Sequence, residues 1–343
     1  MKAIVKNNPG KGADLVEYPI PLLQGDQVLI RVKAASICGT DLHIYNWNDW
    51  AINAGIKMPI VLGHECCGEV VEVGPSVKTL KAGDYVACET HIPCGRCYQC
   101  NNGLQHICSD LKLYGIHMNG CFAEYSKISE RCAIKISDKI NPKIGAVLEP
   151  LGTAIRACIE IEASGKNVAV IGCGPIGLMA VNALKAFGTA NIIAVDVNEL
   201  RLNIAKKVGA THIVNPVEVD PAKYIIEITK GIGVDAFIDA SGNNRAIVSG
   251  FESLRKGGMA ALIGLPSKPL EIELVSKVIF KEARIVGIHG RKMNESWTTM
   301  LNLLDMDLLN IDPIITHVLR LEDFEKGFEI LSNGTGGKVI LVP

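Results

Sequence analysis

Between residues 167 and 208 the chain runs apolar strand, glycine-rich turn, helix, apolar strand, helix, an order that a parallel sheet with flanking helices closes using short connections. Asn167 to Ile171 leads into Gly172-Cys173-Gly174-Pro175-Ile176-Gly177. Gly177 to Phe187 reads as helix, Asn191 to Val197 as a second strand, and Glu199 to Val208 as helix again. Ala236 to Ala240, Met259 to Gly264 and Ala283 to Gly287 continue the series as short apolar runs, the pattern of a sheet buried on both faces. Residues 151–290 are therefore expected to form a doubly wound α/β domain.

At 343 residues the chain exceeds what one core usually organises, which predicts a second domain. The first third supplies it. Gln27 to Ala34, Gly68 to Val73, Asp84 to Glu89 and Cys121 to Ile128 are β-rich runs separated by Gly/Pro turns, and Val28, Ile30 and Val32 alternate with Leu29, Arg31 and Lys33. Residues 1–150 read as a mainly antiparallel, barrel-like domain with long loops. After Gly290 the composition turns helical around Trp297 to Leu304 and ends in an apolar strand, Lys338 to Val342. This tail, 291–343, is expected to fold back and complete the first domain.

Lys plus Arg total 35 against 36 for Asp plus Glu, a net charge of −1, so no bulk attraction to nucleic acid or anionic membrane is expected. The apolar run Val168 to Leu184 is broken by Gly172, Gly174, Pro175, Gly177 and Asn182, which argues against a membrane span. Met1 to Lys6 is too briefly apolar for a signal peptide. Twelve cysteines in so long a chain, four of them with metal spacing, suit a reduced, cytoplasmic protein better than a disulfide framework.

Gly172, Gly174 and Gly177 form G-x-G-x-x-G between a strand and a helix. The first glycine makes the turn, the second admits a pyrophosphate to the backbone, and the third lets helix pack on strand. Asp196, nineteen positions after Gly177, falls where a carboxylate accepts hydrogen bonds from ribose hydroxyls and repels a 2′-phosphate. The pattern predicts a Rossmann domain that prefers NAD to NADP. Arg201 can reach the adenosine or lie on the solvated face of its helix.

Two groups of metal-ligand residues precede that domain. Cys94, Cys97, Cys100 and Cys108 are spaced C-x2-C-x2-C-x7-C, with Gly95 and Gly103 to relieve the bends. Four thiolates at about 2.3 Å close a tetrahedral zinc shell, a structural site with no open position. The other group is Cys38, within Cys38-Gly39-Thr40-Asp41-Leu42-His43, and Gly63-His64-Glu65. Thiolate, imidazole and carboxylate leave a fourth zinc position open for polarising a hydroxyl. Spacing alone leaves open whether Cys38 and His64 meet in space.

Gly63-His64-Glu65, the four-cysteine lobe and the late glycine fingerprint, in that order, resemble the zinc-containing medium-chain alcohol dehydrogenases over nearly the whole chain. The resemblance implies a GroES-like β-barrel catalytic domain, with a structural lobe at about 88–110, beside the Rossmann domain. It implies a catalytic zinc on Cys38, His64 and Glu65, a structural zinc on the four cysteines, and Glu149 near the catalytic metal. A helix N-terminal carboxylate beside Pro150 is the ordinary alternative for Glu149, and the two roles can hold together, the resemblance favouring the place near the metal. Thr40 and His43 match a relay carrying the hydroxyl proton to solvent by way of the nicotinamide ribose. Ile176, Asp196, Arg201, Ile263, Gly264, Leu265, Ile288 and His289 match NAD contacts.

Within the family, Cys38 to Trp47, Gly290 to Met293, Pro313 to His317 and Asp323 to Phe328 are similar to members that oxidise the side-chain hydroxyl of L-threonine. Members acting on butanediol or sorbitol share G-H-E and Leu148-Glu149-Pro150-Leu151, and a homotetramer is implied as well. His91, three residues before Cys94, is either a pocket residue or a surface histidine.

Overall fold

The strand Gln27–Ile37 is the spine of the first unit. Val28, Ile30 and Val32 are buried and Arg31 and Lys33 exposed, but Leu29, expected on the alternate face, is buried too, and Ala34 to Ile37 are buried throughout. Ile37 lies under the helix Phe324–Ser332, where a Cβ on Gly327 would come within 2.5 Å of its Cδ1. Ser36, on the opposite side, reaches the Ala146 carbonyl at 3.2 Å.

This computed structural model describes residues 1–343, which divide into Met1–Glu149 with Ile315–Pro343, and Pro150–Ile314. In the first unit one sheet runs Ala133–Lys135, Tyr85–Cys88, Cys66–Val73, Gln27–Ile37, Lys338–Val342, Ile315–Arg320, and Tyr125–Ser129 also pairs with Gln27–Ile37. A three-stranded sheet of Asp14–Glu17, Lys2–Lys6 and Ile60–Val61, which the alternation pattern did not signal, stands apart from it.

The second unit is a six-stranded parallel sheet in the order His212–Val214, Asn191–Val195, Asn167–Ile171, Val234–Asp239, Leu254–Leu262, Arg284–Gly287. Its core sets Phe237 edge-on against Phe251, ring centroids 5.0 Å apart, over Ala169, Ile193 and Ala260. Chain order reverses between Asn167–Ile171 and Val234–Asp239. In such sheets the crevice beyond the carboxyl ends of those two strands takes the ligand.

One boundary differs from the sequence expectation. The tail rejoins the first unit at Ile315, not at 291. Residues 291–314 stay with the second unit because Arg291 is fully buried against Gly152 and donates to Thr153 Oγ1, and the helix Glu295–Asp305 buries Trp297 and Met300. Asn310 N also donates to Asn182 Oδ1 at 3.0 Å. No helix is long and apolar enough to cross a membrane.

Candidate active site

Antiparallel pairing gathers the first metal group. Ala35 opposes Cys66, and Ser36 N donates to the Glu65 carbonyl at 2.9 Å. Cys38, just past the end of one strand, is thus brought beside His64 and Glu65, just before the start of the next. The sulfur, an imidazole nitrogen and a carboxylate oxygen all lie within 4.8 Å of one another.

Each ligand is held from behind. Asp41, in the first turn of the helix Gly39–Asn46, accepts from Cys38 N at 2.9 Å through Oδ2. Its Oδ1 pairs with His64 Nδ1 at 3.1 Å, which leaves Nε2 as the ligand atom. Burial works against charging His64, but Asp41 and the Cys38 thiolate outweigh it and hold its pKa well above the usual imidazole value. A cation on Nε2 answers the same two anions as a proton does. Glu65 is fully buried; Ser36 Oγ and Lys338 Nζ both bond its Oε2, while Oε1 has no hydrogen-bond partner. A buried orphan oxygen beside a thiolate and an imidazole fits a zinc ion. Burial pushes the Glu65 carboxyl up, Lys338 and His64 pull it down, and Glu149 adds to the rise.

Glu149 lies in the first turn of the helix Leu148–Glu160 and accepts from Thr90 Oγ1 at 2.6 Å. It sits beside the Cys38, His64 and Glu65 group, which meets without it. Thr40 is half-buried and His43, one turn on, is exposed. Asn48 uses Oδ1 to cap the helix Asp49–Asn53, so its Nδ2 donates to His43 Nδ1 and assigns the proton of the neutral ring to Nε2. His91 is buried, with Nδ1 at 2.7 Å from Glu89 Oε1.

The four-cysteine lobe brings its sulfurs within 4.8 Å of one another. Gly95 and Gly103 take φ of 77° and 75°, the left-handed region that a Cβ disfavours. Hydrogen bonds from the Cys100 amide and from Ser109 draw the Cys97 thiol down to about 5. Burial and the neighbouring Cys97 push Cys100 up to about 12. Sulfurs this close ionise together only around a cation, which a divalent metal supplies.

In the second unit the carboxyl edge of the sheet carries Gly172, Asp196, Ile263 and Ile288, each within one or two residues of a strand end. A Cβ on Gly172 would meet Ser241 at 2.7 Å and one on Gly177 would meet the Gly172 carbonyl at 1.8 Å, whereas beside Gly174 the space is open. Gly174 caps the helix Pro175–Ala186 without a side-chain bond, so its first amides, Ile176 among them, are available to a phosphate. Asp196 binds Cys173 N at 2.6 Å and Asn198 N at 2.8 Å. It lines a cavity of about 480 Å³ with Gly172, Val197, Pro216, Ser241 and Arg245. The buried Arg201 Nε has no hydrogen-bond partner and lies within electrostatic reach of Cys173 in the glycine turn. Ile263 and Gly264 both donate to the Asp239 carbonyl, and Leu265 beyond them is exposed. The His289 carbonyl accepts from Arg156 at 2.9 Å. These features fit a dinucleotide.

Residues 24–138 match the alcohol dehydrogenase GroES-like domain and residues 175–306 the zinc-binding dehydrogenase family. An L-threonine 3-dehydrogenase of Bacillus velezensis is 46% identical over 344 residues, covering 100% of this chain and 99% of that one. The chain belongs to the zinc-containing medium-chain alcohol dehydrogenases. An alcohol dehydrogenase of E. coli CFT073 solved with NADH superposes with a TM-score of 0.91 at 28% identity, covering 100% of this chain and 99% of that one. The 2R,3R-butanediol dehydrogenase of Bacillus subtilis gives 0.90 at 29%, with the same coverage.

In this medium-chain dehydrogenase the sequence reading missed Asp41, Ser36, Thr90, Glu89 and Lys338. Asp41 alone carried a local signal, an acidic residue three positions after Cys38 at a helix start. Glu89 sits two positions before His91, but nothing in its type marked the pair. Ser36 and Lys338 act across a strand pairing and Thr90 across to the helix Leu148–Glu160, contacts that leave no local trace.

Proposed function

We propose that the chain oxidises the 3-hydroxyl of L-threonine to L-2-amino-3-oxobutanoate with NAD as the acceptor. The observation that carries the reading is the meeting of Cys38, His64 and Glu65 in a chain 46% identical, end to end, to an L-threonine 3-dehydrogenase. When bound, zinc supplies a Lewis acid to the substrate oxygen and NAD accepts the hydride from the CH–OH carbon.

Cys38, His64 and Glu65 hold the ion, and Asp41 fixes the His64 ring through Nδ1. Thr40 accepts the hydroxyl proton as it passes its own onward, and the exposed His43 gives its Nε2 proton to water as a proton arrives at Nδ1 in place of the Asn48 contact. Glu149, buried and held by Thr90, stands by to assist that proton. The substrate thus loses one hydride and one proton. Gly172, Gly174, Ile176, Gly177 and Arg201 cradle the pyrophosphate and adenosine side of the cofactor. Ile263, Gly264, Leu265, Ile288 and His289 meet its other end through backbone. Asp196 takes the ribose hydroxyls and favours NAD over NADP. A second zinc, on Cys94, Cys97, Cys100 and Cys108, is structural.

The assembly is proposed to be a homotetramer. Its sheet ends in the strand Arg284–Gly287, an edge with Ile285 exposed, and Leu274, Ile279 and Phe280 are exposed just before it. Twelve unbridged thiols suit a cytoplasmic setting.

NADH formation is measured with L-threonine, butanediol and sorbitol, before and after chelation, beside zinc content. Preference for L-threonine, two zincs per chain and loss of turnover in Cys38→Ser with NAD binding intact are expected. Wild-type kcat in Cys38→Ser would remove the catalytic-metal assignment, and a preference for butanediol or sorbitol would replace the substrate.

A further inference from the structure

The last strand of the chain places a buried cation behind the metal ligands. Val339 opposes Ile37 in antiparallel register, which sets Lys338 across from Cys38. The Lys338 side chain is 2% exposed and its Nζ bonds Glu65 Oε2, Ser36 Oγ and the Ile37 carbonyl. Few lysines are buried so fully, and the cost of desolvating one is met only by close anions.

Glu65 has two oxygens and they are treated unequally. Oε2 is engaged by Lys338 and Ser36; Oε1 has no hydrogen-bond partner. A carboxylate with both oxygens free can bind a metal through both, filling the coordination position that a substrate hydroxyl needs. Charge points the same way. Cys38, Glu65 and the nearby Glu149 bring three negative charges toward a divalent ion, and extra anionic charge tightens the ion while weakening it as an acid.

We propose that Lys338 is a positioning residue that holds Glu65 to one ligating oxygen, keeping the fourth metal position open and the ion acidic at some loss of metal affinity. This inference rests on the catalytic-zinc reading of Cys38, His64 and Glu65. It differs from a purely structural role in sign: removing a structural prop loosens the metal, whereas removing Lys338 tightens it. Without the ammonium, Glu65 has the metal as its one strong partner, so the folded state depends on zinc more than before.

The test compares wild type, Lys338→Met and Lys338→Arg as full-length zinc-loaded protein, with Lys338→Gln replacing the Met variant if that does not fold. Transfer of zinc to a chromophoric chelator, the fall in Tm on zinc removal, and kcat with L-threonine are measured. The inference expects the neutral variant to release its chelatable zinc more slowly than wild type and to lose more Tm on zinc removal. Its kcat should fall about tenfold or more, and Lys338→Arg should stay near wild type. Zinc release as fast as wild type or faster, or an unchanged kcat, overturns it, as does failure of the Arg variant to preserve activity. Wild-type protein holding zinc in the four-cysteine lobe alone would sink the metal reading itself, and this inference with it.

Discussion

The Asp41 carboxylate lies 3.1 Å from Nδ1 of His64 while its other oxygen holds the Cys38 amide at 2.9 Å, so one side chain sets both the imidazole and the turn that carries the thiolate. An imidazole whose Nδ1–H is pinned presents Nε2 in a fixed direction and is a stronger ligand for the negative charge behind it.

Asp41→Asn keeps an oxygen for one of these bonds and removes the charge. Zinc affinity at the Cys38 site is expected to drop about 10–100-fold, while the four-cysteine lobe keeps its ion. Competition with a chelator of known affinity measures this, and equal affinity in the two proteins would show that Asp41 serves the helix start alone.

At the sheet edge, Asp196 closes the glycine turn through Cys173 N and faces a cavity of about 480 Å³. Asp196→Ala removes the carboxylate that the NAD reading assigns to the ribose hydroxyls and to exclusion of a 2′-phosphate. The ratio of kcat/KM for NAD over NADP is expected to fall at least about tenfold, by the loss of a charge-assisted hydrogen bond. An unchanged ratio counts against the assignment.

The cofactor edge was legible because its grammar is local: strand, three glycines, helix and acidic strand end span about thirty residues in one register. The proposed catalytic ligands were legible from spacing as residue types, and only the family resemblance grouped them, since Cys38 and His64 meet through the pairing of Ala35 with Cys66. Lys338 was invisible for the same reason. It stands 302 positions from Ser36, at the start of a plain apolar strand, and reads there as a solvated lysine. The tail boundary failed because helical composition around Trp297 does not say which core Trp297 enters. Burial of Arg291 against Gly152 decides it.

Glu130 makes an acid-stability prediction. Burial acts to raise its carboxyl pKa, but bonds from Thr79, Lys78 and Leu80 prevail and hold it at about 2, below the ordinary 4.5. A depressed folded-state pKa stabilises the fold above the unfolded value, and that contribution is lost as pH falls from about 4.5 towards about 2. Urea midpoints of wild type and Glu130→Gln are therefore expected to differ by a constant amount above about pH 5.5 and to converge below pH 4.5. A gap that persists unchanged at pH 3 would assign it to the shape of the loop instead of the charge.

Glu89 and His91 form a buried pair that the L-threonine reading can put to use. Glu89 Oε1 accepts from the His91 amide at 2.9 Å and from Nδ1 at 2.7 Å, which orients the ring. Under the L-threonine reading, a buried imidazole backed by a carboxylate suits a substrate ammonium, which L-threonine has and a simple secondary alcohol lacks. A hydrogen bond to a charged group is worth about 1.5–3 kcal/mol. His91→Ala should therefore lower kcat/KM for L-threonine by about 10–100-fold more than for 2-butanol, and Glu89→Gln should move it the same way by less. Equal losses on both substrates would mean that the pair serves the shape of the loop and not recognition of the ammonium.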